Sequence, residues 1–130
     1  MATTNFLKYR LPAIFYAIVI FTQSSFSHIP TPSIGLRFQD KLIHAIVYGI
    51  LGFLSIRAFY YKSNDFMRRN ALVLSFSISF LYALSDELHQ AFVPGRTAEI
   101  GDLIADFIGI LTAEVIFFYR KINFRKPGIK

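Results

Sequence analysis

The stretch Ala45-Ile46-Val47-Tyr48-Gly49-Ile50-Leu51-Gly52-Phe53-Leu54 decides how the rest of the chain is read. Wound as an α-helix, it puts apolar side chains on every side of the cylinder. A helix of a soluble bundle keeps one polar face, and no such stripe can be drawn here. Ala71-Leu72-Val73-Leu74-Ser75-Phe76 and the run Ile108 to Ala113 repeat the pattern. In lipid the backbone must satisfy its own hydrogen bonds, so an all-round apolar segment is expected to be a spanning helix.

Working outward, Leu11 to Leu36 carries no formal charge over 26 residues, with its densest apolar part from Leu11 to Phe26. A spanning helix needs about 20 mostly apolar residues. The uncharged runs Leu42 to Ile56 and Asn70 to Ser85 are shorter. Extended to their polar ends they become Asp40 to Tyr61 and Asn70 to Ala91, 22 residues each. The fourth segment, Ala98 to Tyr119, is interrupted by Glu99, Asp102, Asp106 and Glu114. The expectation is an all-α protein: a single domain over 1–130, core about 11–119, built as a four-transmembrane-helix bundle.

Composition agrees. Hydrophobic residues make up 54% and charged residues 17%, where a soluble domain carries about 25% charged. Disorder is excluded, because it requires low hydrophobicity and high net charge. There is no cysteine, which excludes disulfide scaffolds, thiolate catalysis, zinc fingers and iron–sulfur ligation. The net charge of +6 would suggest nucleic acid in a soluble protein, but the position of the charges answers otherwise. Lys8 and Arg10 precede the first segment; Arg57, Lys62, Arg68 and Arg69 flank the second-to-third connection; Arg120, Lys121, Arg125, Lys126 and Lys130 follow the fourth. These are 11 of the 14 basic residues, leaving Arg37, Lys41 and Arg96 on the other side. The positive-inside rule then puts both termini in the cytoplasm and the 27–39 and 92–99 connections outside, in a multi-pass protein of the plasma membrane. Nucleic acid is not an expected partner. Lys8, Arg10 and Ser25-Phe26-Ser27 also fit a signal peptide, but removing the first helix would break this charge balance, so retention is expected. Pro30 and Pro32 mark an extended loop, and Pro94-Gly95 a tight turn.

The acids are distributed against the bases. Asp40, Asp86, Glu87, Glu99, Asp102 and Asp106 fall at the outer ends of the last three helices, with His44, His89, Gln90, Lys41 and Arg96 at the same level. Asp40 and His44, Asp86 and Gln90, and Asp102 and Asp106 are each four apart, so each pair shares a helix face one turn apart. Ionisable groups at that depth are costly unless they face a cavity and have partners, which makes them site candidates. The short connection Phe92 to Thr97 makes the third and fourth helices antiparallel neighbours and brings Asp86 and Glu87 toward Asp102. Plainer roles exist beside these: Asp40 and Asp102 suit helix N-termini, Glu99 suits a solvated first turn, and Glu114 suits a structural pairing with Arg57 or Arg120. Phosphate-cradling loops, a nucleophile elbow and a H-E-x-x-H zinc helix are absent from the sequence.

At this point the residues resemble a known family. Asp40-Lys41-Leu42-Ile43-His44 followed by Tyr48-Gly49-Ile50-Leu51-Gly52 is similar to the D-K-x-x-H…Y-x-x-L segment of VanZ-like membrane proteins. Ser85-Asp86-Glu87-Leu88-His89-Gln90-Ala91-Phe92-Val93-Pro94-Gly95-Arg96 resembles that family's D-E-x-x-Q-x-F-x-P-x-R segment, and Asp102 to Gly109 its D-x-x-x-N-x-x-G segment. The resemblance covers about 11–119, with one departure: Asp106 stands where the family has Asn. Its founding member is associated with resistance to teicoplanin. The resemblance therefore implies a site acting on or binding a lipid-linked cell-envelope molecule or a lipidated glycopeptide.

The residues themselves suggest a membrane-embedded hydrolase or transferase at the outer leaflet. Asp40, His44, Asp86 and Glu87 are its candidate catalytic groups, with His44 oriented by Asp40 as one arrangement of a general base. Lys41, Gln90 and Arg96 are candidate binding groups for an anionic head group. Asp86, Glu87, Asp102 and Asp106 are candidate ligands for a divalent metal cation. The surplus of acids over Lys41, Arg96 and Arg37 at this level calls for a cation or cationic ligand. The alternative is a non-enzymatic binding or structural membrane protein, in which the bases hold the acidic helix ends together.

Overall fold

The computed structural model describes residues 2–27, 35, 38–61 and 63–123. The Pro30/Pro32 loop and Arg37, Lys62, Arg125, Lys126 and Lys130 lie outside the described residues. The described chain is helical, without a strand. A turn of helix α1 (Ala2–Asn5) runs through a π-helical turn (Phe6–Arg10) into α2 (Leu11–Ser24), with Pro12, which has no N–H to donate, just after the π-helical turn. Helix α3 (Gln39–Tyr60) and a short α4 (Asp65–Arg69) follow, then α5 (Ala71–Gln90) and α6 (Ile100–Asn123). The side chain of Asn64 caps α4 by accepting the Met67 N–H at 2.8 Å. The turn after α5 has Pro94 and Gly95 at its centre, Gly95 at φ +81°, with the Arg96 N–H donating to the Val93 carbonyl at 3.1 Å. That is the pattern of a type II turn, which needs a glycine at its third position.

The four long helices fall on the four segments read from the sequence. Two of them, α3 and α5, are long and apolar enough to cross a membrane. Helix α2 has 14 residues, and α6 carries Asp102, Asp106 and Glu114 along its length. The helices alternate in direction. Tyr9, before α2, stacks on Tyr61, after α3, at 5.0 Å, and Tyr60 meets Phe118 near the end of α6 at 6.1 Å. At the opposite end Ser25 meets His89 of α5 at 3.1 Å. The described ends of the chain therefore share one end of the bundle, and α3 and α6 run parallel.

Helices α3 and α6 form the most extensive contact, and glycine makes it possible. A Cβ at Gly109 would overlap the backbone of Ala45, and one at Gly49 would stand 3.2 Å from the Gly109 carbonyl oxygen. A Cβ at Gly52 would stand 3.1 Å from the Ile110 Cα. Small residues that let two backbones touch are the usual way membrane helices gain packing energy. Helix α2 is fastened by two tyrosines: Tyr16 donates to the Val47 carbonyl at 3.2 Å, and Tyr82 donates to the Ala17 carbonyl at 2.5 Å.

The interior is unusually polar. Among the described residues ten buried side chains are polar or charged and nine are apolar, while Phe15, Val73, Leu81 and Ile104 are more than half exposed. A soluble domain buries its apolar groups and rarely its acids. This distribution is reversed, as suits a bundle with lipid outside it.

Candidate functional site

Three helix ends deliver the polar residues: the first turns of α3 and α6 and the last turns of α5. Because α3 and α6 are parallel and in backbone contact, their i,i+4 pairs lie side by side, and the antiparallel α5 brings its own pair to the same level. The result is three polar layers stacked down the bundle.

The outermost layer centres on Lys41. Its ammonium stands 2.9 Å from Asp40 Oδ2, 2.6 Å from Glu99 Oε2 and 2.5 Å from Asp102 Oδ1. Asp40 and Glu99 are more than half exposed and Asp102 is buried. The Lys41 stem runs over Gly101, where a Cβ would meet the Lys41 Cε at 3.0 Å. Asp40, Glu99 and Asp102 each offer an oxygen within 4.8 Å of the others, but this group of acids already holds a cation, the lysine itself.

The second layer is His44, Glu87 and Asp106, whose ligand atoms also lie within 4.8 Å of one another. His44 Nδ1 is 3.0 Å from Asp106 Oδ1, and Nε2 is 3.7 Å from Asp102 Oδ2. Glu87 Oε2 accepts the Glu99 N–H at 3.1 Å, which ties the loop end to α5. Glu87 Oε1 and Asp106 Oδ2 are buried without a hydrogen-bond partner. The physical contrast with the layer above is direct: among the described residues, these acids have no lysine or arginine bonded to them. Donor atoms this close fit one coordination shell, given metal–ligand bonds of about 2.0–2.6 Å. A carboxylate bonded to the second nitrogen also fixes the ring of a ligating histidine.

The third layer is Asp86, whose Oδ2 accepts from the Tyr48 hydroxyl at 2.8 Å and from Gln90 Nε2 at 3.0 Å. Its Oδ1 has no partner. The Tyr48 ring lies nearly parallel to that of His44, centroids 6.4 Å apart, so the second and third layers are joined through α3.

Asp40, Lys41, His44, Asp86, Glu87, Gln90, Asp102 and Asp106 thus occupy one end of the bundle, but they sort differently from the sequence grouping. Asp40 bonds Lys41, and it is Asp106 that bonds His44. Of the four acids read as metal ligands, Glu87 and Asp106 join His44, Asp102 belongs with Lys41, and Asp86 is engaged by Tyr48 and Gln90. Among the described residues no hydrogen bond or ion pair joins the Arg96 side chain to these acids, and its Nε has no partner. His89 faces α2, stacking on Phe21 at 4.8 Å. Glu114 is fully buried on α6 with the Ser75 hydroxyl of α5 beside it and, among the described residues, no ion pair. Arg57, one of the partners expected for Glu114, lies instead over the Tyr9 and Phe53 rings.

Two residues of the site were quoted in the sequence reading without the roles they have here. Tyr48, named there only within the family-like segment, continues the Asp40–His44 ladder by four more residues, so the i,i+4 rule reaches it. Glu99 reads as a solvated first-turn acid until its neighbour Lys41, 58 residues away in sequence, is seen.

A family model described as VanZ/LLP1 matches residues 2–122. No curated protein and no solved structure matches the chain.

Proposed function

The chain belongs to the VanZ/LLP1 family, and on that premise we propose that it is a multi-pass protein of the plasma membrane whose four long helices all cross the bilayer. Both termini lie in the cytoplasm and the layered polar site opens outward. The basic residues gather at the end opposite the site, as the positive-inside rule requires. The exposed apolar surface around a polar interior supports the same reading.

The site binds a divalent cation through His44, Glu87 and Asp106, and with it the phosphate of a lipid-linked cell-envelope molecule at the outer leaflet. The observation that carries this is the pair of buried, unpartnered carboxylate oxygens of Glu87 and Asp106, grouped with His44 in a layer without lysine or arginine among the described residues. A cation bound there would polarise a phosphoryl oxygen. The alternative to ligation is that His44, held by Asp106 at 3.0 Å, acts without a metal as a general base, which also suits hydrolase or transferase chemistry. Arg96, in the turn between α5 and α6, is the residue for an anionic head group, and a lipidated glycopeptide such as teicoplanin is a second amphiphile to offer the site. A non-enzymatic, structural role is favoured only in the outermost layer, where Lys41 satisfies three acids by itself.

The test is thermal unfolding of the detergent-purified protein with chelator and with Mg2+, Mn2+, Ca2+ or Zn2+, for wild type, His44→Ala and Asp106→Asn. A ligand at a hundred times its Kd stabilises by about 2.7 kcal/mol, so a clear rise is expected for wild type. Asp106→Asn should need more metal, since the amide oxygen still ligates without the charge, and His44→Ala should lose the response. A wild-type melting temperature indifferent to all four metals overturns the metal assignment.

A further inference from the structure

The end of the bundle opposite the acidic site carries a cavity of about 690 Å3 between the last turns of α3 and α6. That is within the range of ligand sites, about 300–1,000 Å3. Tyr60, Tyr61, Phe117, Arg120 and Lys121 form much of its wall, and none of the described residues lining it is acidic. Lys121 Nζ lies 4.5 Å from the centre of the Tyr61 ring, 5.8 Å from Tyr60 and 5.9 Å from Phe117. Among the described residues neither Arg120 nor Lys121 forms an ion pair with a carboxylate. A third cation, Arg57, lies 5.7 Å from the ring of Phe53, another wall residue.

The contrast with Lys41 is informative. Lys41 is surrounded by three carboxylates and has no charge left to offer. Aromatic rings hold Lys121 in place without neutralising it, and Arg120 beside it has no carboxylate partner among the described residues, so both offer positive charge at the rim of a concave surface walled by aromatic and aliphatic side chains. Below the rim, Ile116 and Phe53 of the wall are exposed to the surroundings of the bundle. Tyrosine and lysine or arginine together at the end of an apolar helix pair suit the membrane–water interface, where the rings sit at head-group level.

We propose that this cavity binds the head group of an anionic phospholipid of the cytoplasmic leaflet, with Arg120 and Lys121 contacting the phosphodiester and the acyl chains lying along Ile116 and Phe53. This rests on the membrane reading above and is independent of the metal assignment at the other end. Charge complementarity selects the occupant: a zwitterionic lipid brings its own cation into a cavity that has no acid to receive it. The glycerol-type head group brings only negative charge.

The experiment is a thermal-shift titration of the full chain in neutral detergent, with chelator present, using short-chain phosphatidylglycerol, the matching phosphatidylcholine, or inorganic phosphate. Phosphatidylglycerol should raise the melting temperature, with little effect from the other two. Each cation near a lipid phosphate contributes about fivefold in affinity. The double variant Arg120→Gln/Lys121→Gln should therefore weaken the phosphatidylglycerol response by about 30-fold, and Arg120→Lys should keep most of it. Equal stabilisation by both lipids overturns the proposal, as does a double variant that binds like wild type. Inorganic phosphate reproducing the whole shift would mean a free-anion site and would overturn it too. His44→Ala, which removes the metal response, should leave this titration unchanged, so the two assignments fail separately.

Discussion

Replacing Lys41 by methionine keeps the apolar stem over Gly101 and removes the one cation that Asp40, Glu99 and Asp102 share. Those carboxylates offer oxygens within 4.8 Å of one another. Two unit charges at that distance repel by about 3.5 kcal/mol at an effective dielectric near 20, and by under about 1 kcal/mol in bulk water. Asp40 and Glu99 are 61% and 52% exposed, so their contributions belong near the aqueous limit, where ion pairs are worth about 0–1 kcal/mol. Asp102, at 10%, belongs nearer the interior limit, where removing one partner of a pair costs about 3–5 kcal/mol. The partial exposure of the Lys41 side chain, 26%, and solvent screening pull that figure down, and the net expectation is a loss of about 2–4 kcal/mol. For a chain of this size it corresponds to a melting temperature lower by about 6–15 °C at low salt. The vacated layer then has the donor set of a divalent site, so millimolar Ca2+ should restore much of the loss. Reading the effect in a His44→Ala background, beside His44→Ala alone, removes any contribution from the layer below. A Lys41→Met protein that melts within about 2 °C of its parent at low salt would refute the reasoning. So would a destabilised variant that Ca2+ leaves unchanged.

Gly109→Ala forces a methyl group into the Ala45 backbone, and overpacking of about 1–3 kcal/mol should exceed the roughly 1 kcal/mol that alanine gains in a helix; a variant melting above wild type would show that α3 and α6 do not touch there. Glu114→Gln removes a buried carboxyl that has no ion-pair partner among the described residues while keeping its shape, so stability should stay level or rise; a fall in the melting temperature would mean that the carboxyl makes a bond, such as one to Ser75, that the amide cannot replace. For topology, a cysteine replacing Thr97 should react with an impermeant maleimide applied to intact cells, and one replacing Asn64 should react only after lysis; labelling of position 64 from outside would reverse the assignment.

The helices and their ends were readable because they depend on local pattern. All-round apolar runs and the Pro94-Gly95 pair each act within a few residues, and each produced the expected helix or turn. The outer polar level was readable for the same reason: a spacing of four fixes which residues share a face. The ladder Asp40–His44 was read one step short of Tyr48, although the rule reached it. Gly109 was visible as a motif glycine, but its reason, a backbone contact with Ala45, was not.

The sequence by itself determined where the helices run, that acids and a histidine collect at one end and bases at the other, and that the interior must be polar. It did so because hydropathy and i,i+4 spacing are properties of single segments. Only the tertiary structure decided how those groups are shared out. Lys41 takes Asp40, Glu99 and Asp102; His44 is left with Asp106 and Glu87; Tyr48 and Gln90 take Asp86. That division follows from α3 lying parallel to α6 in glycine-mediated contact, an arrangement between segments about 60 residues apart in sequence. Each acid could pair with any base at its level, and only the relative rotation and height of the two helices choose among them.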